Sequence, residues 1–224
     1  MKKLCGVLIC FFLLTFISSA RIIEVADAGV TDKLKAVIAA KNAPAAPAGP
    51  WTDDFNRDNE DPLSTNWSNL ATTGLSLVSN VASGTAEDGS YYTGSSLAAN
   101  QYIQIAASAG LYNVNPYLYL RTEGTLTTGI YVKIAEWNSV SVHDASDDAT
   151  LGAISTDDLS GAGTWKASIE GTGASKTVRF YLNGSEQGTA ISSISEGPDA
   201  AGYVGVYTWG AGTSIFDDFE CGDL

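Results

Sequence analysis

From residue 51 to the C-terminus, apolar and polar residues alternate in short runs such as Tyr102-Ile-Gln-Ile-Ala106, Tyr117-Leu-Tyr-Leu-Arg121 and Thr177-Val-Arg-Phe-Tyr-Leu182. A period of two places successive side chains on opposite faces of a β-strand. Gly, Asn, Asp and Ser residues separate the runs, and Asn183-Gly184 is the strongest hairpin signal because both residues accept the positive φ angles of a type I′ turn. No clear helical segment interrupts the runs, so the pattern predicts one all-β domain over residues 51–224, a sandwich or a barrel, and we expect the sandwich.

The N-terminal residues follow a different pattern. Lys2 and Lys3 precede an apolar run, Leu4 to Ile17, which ends at the small residues Ser18-Ser19-Ala20. A positive start, a short apolar run and a small-residue cleavage site are typical of a secretory signal peptide. We therefore expect residues 1–20 to be removed and the mature protein to be secreted without a membrane span. The alternative is an uncleaved anchor, although the apolar run is short for a bilayer.

Residues 21–50 predict a short helix followed by a linker. Thr31 to Lys41 contains helix-forming residues with apolar side chains at i, i+3 and i+4 spacing. Asn42 to Pro50 consists mainly of Ala and Pro, a composition typical of a semi-extended linker. The boundary of the β-domain is therefore predicted just before Trp51.

Charge and cysteine content limit the partners and the covalent structure. The chain of 224 residues has a formal net charge of −13, whereas nucleic-acid binding needs clustered Lys and Arg, so a nucleic acid is not the expected partner. Removal of residues 1–20 leaves Cys221 as the only cysteine, which excludes an internal disulfide. We expect Cys221 to be a spare surface thiol, and pairing between two chains is the alternative.

Two identical tripeptides, Asp53-Asp54-Phe55 and Asp217-Asp218-Phe219, lie near the two ends of the predicted β-domain. Closing a sandwich commonly brings the first and last strands side by side, and like charges facing each other across strands repel. A bound Ca²⁺ would offset this repulsion, because it takes carboxylate and carbonyl oxygens as ligands. The sequence therefore predicts a structural calcium site formed by Asp53, Asp54, Asp217 and Asp218. In the alternative interpretation the Asp side chains accept backbone hydrogen bonds or are solvated, and both Phe rings lie in the core.

Several segments together resemble the laminin-G-like jelly rolls of the concanavalin A-like lectin and glucanase superfamily. They are Trp51-Thr-Asp-Asp-Phe-Asn-Arg57, Leu63-Ser-Thr-Asn-Trp67, Gly163-Thr-Trp-Lys-Ala-Ser-Ile-Glu-Gly171, Val178-Arg-Phe-Tyr-Leu-Asn-Gly184, Gly202-Tyr-Val-Gly-Val-Tyr207 and Ile215-Phe-Asp-Asp-Phe219. The resemblance covers about residues 51–224 and implies a two-sheet antiparallel jelly roll. The superfamily includes lectins, carbohydrate-binding modules, glycoside hydrolases, polysaccharide lyases and virion adhesins, and several members hold a structural Ca²⁺ near the first and last strands.

The residues that a catalytic site would need are missing or scattered. Glycoside hydrolysis needs two carboxyl groups across a sugar ring, and the E-x-D-x-x-E strand of the superfamily's glucanases does not occur here. His143 is the only histidine, which excludes a two-His zinc site. A Ser-His-Asp triad with Asp144 is conceivable, but no Ser lies in a G-x-S-x-G elbow. We therefore expect a binding protein, with a hydrolase or lyase acting through an unrecognised site as an alternative.

Aromatic residues provide the candidate ligand-binding positions, because sugars are commonly held by rings that stack on the apolar face of a pyranose. Trp137 ends a predicted strand, and Tyr207 and Trp209 precede a Gly-rich loop, whereas the other tryptophans lie in core-like contexts. We predict Trp137, Tyr207 and Trp209 as the ligand-binding residues. The alternative is that these residues pack at the edge of the core or against a neighbouring subunit.

The sequence thus favours a secreted, non-catalytic carbohydrate-binding or adhesion module whose partner is a glycan. A structural or interaction protein of a virion or cell surface, joined to its partner through residues 21–50, is the main alternative.

Overall fold

The computed structural model describes residues 49–85, 87–107, 114–135, 139–156, 159 and 162–224. Within these ranges the chain forms two antiparallel β-sheets that pack face to face, so the predicted all-β sandwich is confirmed. The predicted signal peptide, the short helix and nearly all of the linker lie outside the described residues. In the described part of the chain, no helix is long and apolar enough to span a membrane.

Sixteen strands and one short 3₁₀ helix, Gly173–Ser175, make up the described structure. In chain order the strands are β1 (Trp51–Asp53), β2 (Trp67–Asn69), β3 (Ser76–Val78), β4 (Val81–Gly84), β5 (Gly89–Tyr92), β6 (Gln101–Ala107), β7 (Val114–Thr122), β8 (Ile130–Ala135), β9 (Ser139–Asp144), β10 (Thr150–Ser155), β11 (Gly163–Glu170), β12 (Lys176–Leu182), β13 (Ser185–Glu186), β14 (Ile191–Ile194), β15 (Tyr203–Gly210) and β16 (Ser214–Asp223).

The two sheets differ in size and connectivity. The nine-stranded sheet has the order β13-β12-β11-β6-β16-β4-β3, with β1 paired to β16 and β14 paired to β12. The seven-stranded sheet has the order β10-β9-β8-β7-β15-β5-β2. The last strand, β16, therefore lies inside the larger sheet, and β15 lies inside the smaller one.

The core lies between the sheets and is built from alternating inward positions. Ile130, Val132 and Ile134 of β8 are buried against the opposite sheet, whereas Tyr131 and Lys133 point to the other side. The largest core side chains are aromatic: Phe55, Trp67, Tyr92, Trp165, Phe180, Phe216 and Phe219. Burial of each such side chain stabilises the fold by roughly 1.5–3 kcal/mol.

The hairpin between β12 and β13 has the predicted turn. Asn183 and Gly184 have φ angles of 52° and 79°, which are the positive values that a type I′ turn requires. The turn sets the register in which Leu182 pairs with Ser185. The Asn-Gly prediction is therefore confirmed.

The prediction of a surface thiol at Cys221 was wrong. Cys221 is 0% exposed because β16 is an interior strand, flanked at this position by Ile103 of β6 and by Trp51 of β1. Its side chain points into the core on the same face as Phe219. Burial, followed by the nearby Glu220 carboxylate, raises the pKa of the thiol to about 12.

A buried arginine holds together the loops at one end of the sandwich. Arg121 is fully buried at the end of β7 and donates to three backbone carbonyls, those of Ala99 (2.7 Å), Pro198 (3.0 Å) and Gly171 (2.5 Å). Because each carbonyl belongs to a different loop, one guanidinium fixes the mutual positions of three connections.

Candidate functional site

The two matched tripeptides lie next to each other, as predicted. β1 pairs antiparallel with β16, and Asp53 faces Phe219 in the register. Phe55 and Phe219 are both buried in the core, so the expected positions of the two rings are confirmed.

Asp53 is the centre of a hydrogen-bond network that we call the corner network, formed by Asp53, Arg57, Glu60 and Trp67. The Oδ1 atom of Asp53 accepts from the Arg57 guanidinium (2.6 Å) and from the Phe55 backbone N–H (2.9 Å), and Oδ2 accepts from the Trp67 indole N–H (2.8 Å). A carboxylate has about four acceptor sites, and three of those of Asp53 are filled by the protein itself. Arg57 also supplies the positive charge that offsets the carboxylate.

Glu60 extends the corner network in the same way. Its Oε1 accepts from the Arg57 Nε (2.9 Å) and from the Thr65 hydroxyl (3.2 Å), and its Oε2 accepts from the backbone N–H groups of Ser64 (2.8 Å) and Thr65 (3.4 Å). These donors, with Arg57 first among them, lower the pKa of the Glu60 carboxyl to about 2. The network therefore ties the first strand to the segment before β2.

Two of the three remaining carboxylates of the predicted calcium site, those of Asp54 and Asp217, accept a local backbone hydrogen bond. Asp54 Oδ1 accepts from the backbone N–H of Asn56 (3.0 Å), and Asp217 Oδ1 accepts from that of Asp218 (2.9 Å). Asp53, Asp54 and Asp218 line one cavity of about 160 Å³ beside β1 and β16.

A Ca²⁺ ion takes six to eight oxygen ligands, which carboxylates, carbonyl groups and waters supply. Among the described residues, no three His, Cys, Asp or Glu side chains converge as metal ligands. The carboxylate of Asp53 is also already engaged by three protein donors. The predicted calcium site therefore stays a prediction, to be tested by titration.

A second polar region lies on the outer side of the seven-stranded sheet, and we call it the tyrosine face. Its members are the outward side chains of four neighbouring strands: Tyr207 and Trp209 of β15, Tyr117 and Tyr119 of β7, Tyr131 and Lys133 of β8, and Ser141 and His143 of β9. They face outward because the intervening residues of each strand fill the core. The register places Tyr117 between Tyr207 and Lys133 in one row across the sheet.

Three parallel rings cross the tyrosine face. The ring centroids of Tyr117 and Tyr131 are 4.8 Å apart, those of Tyr131 and His143 are 4.9 Å apart, and both interplanar angles are 4°. Both faces of Tyr131 are thus covered, and its hydroxyl donates to Asp148. Tyr131 is therefore a structural support rather than a stacking platform for a ligand.

Burial raises the pKa values of three tyrosine hydroxyls of this face above their ordinary value of 10. It raises the pKa of Tyr117 to about 12, and it also raises the pKa values of Tyr119 and Tyr131. The hydroxyl of Tyr119 donates to the Leu126 carbonyl at 3.3 Å. At neutral pH these residues are hydrogen-bond donors and not anions.

Trp209 and Lys133 form the open part of the tyrosine face. The indole of Trp209 is 49% exposed, the largest exposed fraction among the exposed large hydrophobic side chains in the described ranges. The Lys133 ammonium lies 5.9 Å from the Trp209 ring centroid and 5.6 Å from that of Tyr117. An exposed indole beside an ammonium and tyrosine hydroxyls offers stacking and hydrogen bonding to a polar ring compound.

Of the three predicted ligand-binding residues, Trp209 is exposed, Tyr207 is buried and Trp137 is not described. Tyr207 and Trp209 lie on the same face of β15, as their spacing of two implies, but Tyr207 is only 8% exposed and packs against Tyr117 at 5.3 Å. Trp137 lies outside the described residues. The sequence interpretation missed Tyr117, Tyr131 and Lys133, although the alternation in Tyr-Leu-Tyr-Leu and Ile-Tyr-Val-Lys puts these side chains opposite the core.

His143 takes part in a contact set with a serine and an aspartate. Its Nε2 lies 2.8 Å from Ser141 Oγ, and its Nδ1 lies 3.4 Å from Asp148 Oδ1. Asp144, the partner considered from the sequence, instead accepts from the Ser146 backbone N–H. Ser141 lies in the middle of β9, whose backbone pairs with β10 on one side and with β8 on the other.

Comparison with known proteins supports the fold assignment. The chain superimposes on the carbohydrate binding module CBM66 from Bacillus subtilis with a TM-score of 0.54 and 15% identity, covering 70% of this chain and 95% of that one. For endo-1,3-beta-glucanase from Streptomyces sioyaensis the TM-score is 0.53 and the identity is 10%, and the match covers 82% of this chain and 99% of that one. For the carbohydrate recognition domain of Emp47p the TM-score is 0.55 and the identity is 7%, and the match covers 79% of this chain and 96% of that one. Neither a family model nor a curated protein matches the sequence.

At these identities the similarity shows the fold alone. The described residues have a jelly-roll fold of the concanavalin A-like kind, which is the fold that the resemblance in the sequence implied.

Proposed function

We propose that this protein is a secreted carbohydrate-binding module that holds its glycan on the tyrosine face, with Trp209 as the stacking platform. The observation that carries the proposal is the half-exposed indole of Trp209 next to the Lys133 ammonium. A pyranose ring has an apolar face that stacks on an aromatic side chain and equatorial hydroxyls that need polar partners. The tyrosine face supplies both kinds of group on neighbouring strands.

Rigid support makes this surface suitable for recognition. The platform residue is on a strand in the interior of the seven-stranded sheet, between β7 and β5, and the parallel rings of Tyr117, Tyr131 and His143 fill the adjoining surface. A site held by strands and stacked rings loses little conformational entropy when a ligand binds. Two of the three fold relatives are named as carbohydrate-binding or carbohydrate-recognition domains, which is consistent with a sugar ligand here.

The proposal is tested by glycan-array screening followed by calorimetric titration with the oligosaccharides that bind best. We expect Trp209→Ala to weaken binding about 5- to 150-fold, because one ring stacked on an aromatic side chain contributes about 1–3 kcal/mol. Trp209→Phe should retain part of the affinity, since it keeps an aromatic ring.

Ile215→Ala is the matched control, because Ile215 is an exposed apolar residue on the other sheet. Equal binding by Trp209→Ala and the wild type, or no binding by the wild type to any glycan of the array, would overturn the proposal. Release of new reducing ends from a polysaccharide would instead support the hydrolase alternative.

A further inference from the structure

We infer that the tyrosine face selects glycans that carry an anionic group, and that Lys133 is the residue that determines this selectivity. The inference rests on the proposed function and adds the chemical class of the ligand.

The first argument is the position of Lys133. It points outward from the middle of β8, where the register places it between Tyr117 of β7 and Ser141 of β9. Its ammonium lies within 6 Å of two aromatic centroids, at 5.6 Å from Tyr117 and 5.9 Å from Trp209. The side chain is half-buried, so its charged end is directed by its neighbours towards the space beside the indole.

The second argument is the lack of an ion pair. In the described ranges, Arg57, Lys176 and Arg179 each form a salt bridge with a carboxylate, whereas Arg121, Lys133 and Lys166 form none there. Arg121 is fully buried and donates to three carbonyls, and Lys166 lies on the other sheet, so Lys133 is the unpaired cation of the tyrosine face. The chain has a net charge of −13 and thus an excess of carboxylates, yet none of the described carboxylates pairs with Lys133. Aromatic rings attract an ammonium without neutralising it, so Lys133 keeps an unbalanced charge on the candidate binding surface.

The third argument is the fit to a stacked sugar. A pyranose that stacks on Trp209 extends beyond the ring with its exocyclic substituents, and a carboxylate or sulfate on such a substituent would meet the Lys133 ammonium. The overall negative charge of the protein repels anions at long range, but salt screens this repulsion beyond about 8 Å at physiological ionic strength. A local contact with Lys133 is therefore the feature that can favour an anionic glycan.

The experiment compares matched pairs of oligosaccharides by isothermal titration. One pair is an oligogalacturonate and its carboxyl-reduced form, and the other is a sulfated galacto-oligosaccharide and its desulfated form. We expect the wild type to bind at least one anionic member about tenfold or more tightly than its neutral counterpart, since a charge-assisted hydrogen bond contributes about 1.5–3 kcal/mol. The pair that shows the preference identifies the anionic group.

Variants separate this inference from the proposed function. Lys133→Met should lose the preference and retain the affinity for the neutral member, whereas Lys133→Arg should keep the preference. Lys166→Met is the matched control, because Lys166 also lies over a tyrosine ring, that of Tyr102, but on β11 of the other sheet. Trp209→Ala should weaken both members equally.

The outcomes are distinct. A wild type that binds neutral and anionic members equally, or a Lys133→Met variant that keeps the preference, would contradict the selectivity while leaving the glycan site intact. A wild type that binds neither member of either pair nor any glycan of the array would contradict both proposals. Melting curves of the variants should coincide with that of the wild type, which shows that the changes act on binding.

Discussion

The corner network and the tyrosine face are both polar and aromatic, yet they differ in how their polar groups are paired. In the corner network, Asp53 receives three hydrogen bonds and Glu60 receives four, all from the protein. On the tyrosine face, Lys133 has no ion pair among the described residues and Trp209 is half exposed. Polar groups that are hydrogen-bonded to other protein groups stabilise the fold, whereas an exposed indole and an unpaired ammonium are available to bind a ligand.

The first prediction breaks the corner network and has the largest expected effect. Asp53→Ala leaves the Arg57 guanidinium and the Trp67 indole N–H without their acceptor in a site where the Asp53 side chain is only 10% exposed. We expect a loss of about 3 kcal/mol in the free energy of unfolding, measured by urea denaturation. Asp54→Ala is the control, because it removes the same charge from an exposed position and should change stability by less than about 0.5 kcal/mol. Equal losses in the two variants would show that the network is not what stabilises this corner.

The second prediction removes the support of the tyrosine face. Tyr131→Leu deletes the central ring of the three, and each lost aromatic pair contributes about 0.5–1.5 kcal/mol, so we expect a loss of about 2 kcal/mol in the free energy of unfolding. Tyr131→Phe keeps the ring, so its free energy of unfolding should fall clearly less than that of Tyr131→Leu. If the phenylalanine variant is as unstable as the leucine variant, the hydroxyl contact with Asp148 and not the ring stack supports this face.

The third prediction concerns the pH dependence of stability, and it compares Glu60 of the corner network with an exposed glutamate near the tyrosine face. The folded-state pKa of Glu60 is about 2, below its ordinary value of 4.5, chiefly because Arg57 donates to it. A lowered folded-state pKa stabilises the folded protein above pH 4.5, and this contribution is lost as the pH falls from 4.5 towards 2. We expect urea unfolding at acid pH to show this decline, and the decline should be shallower in Glu60→Gln. Glu87→Gln, at an exposed position near Tyr207, should follow the wild type.

The smallest expected effect is that of calcium. Because three protein donors already occupy Asp53, we expect millimolar Ca²⁺ or EDTA to shift the Tm by less than about 1 °C. A ligand that binds the native state tightly must stabilise it by mass action. A clear rise of the Tm with Ca²⁺ that is lost in Asp218→Asn would instead establish the predicted calcium site.

The sequence predicted the fold well because the fold depends on local signals. Alternation fixes which face of each strand is buried, and the Asn183-Gly184 turn fixes the β12–β13 register. The matched tripeptides also indicated correctly that β1 and β16 are neighbours. The alternation and the turn need only the residues within one strand or turn, whereas the pairing of β1 with β16 was predicted from two matched segments at opposite ends of the domain.

The candidate site was harder to predict because it depends on pairing between distant strands. The repulsion between the two acid pairs suggested a cation, whereas Arg57 and Trp67 supply the compensation at Asp53, and nothing in residue type reveals that contact. The tyrosine face needs the register of four strands, in which Tyr117 and Lys133 meet across the sheet. Cys221 was misplaced because a position near the chain end suggested exposure, although β16 lies inside its sheet.

The burial of Cys221 also has a practical consequence for spectroscopy. A thiol that is fully buried, with a pKa of about 12, reacts slowly with maleimides at neutral pH, because the thiolate is the reactive species. Cys221 is the only cysteine in residues 51–224, so the folded domain behaves towards such reagents as if it had none. A single cysteine introduced by Asn115→Cys, directly across from Trp209 on β7, would then carry a fluorophore at one defined place and report ligand binding by its emission.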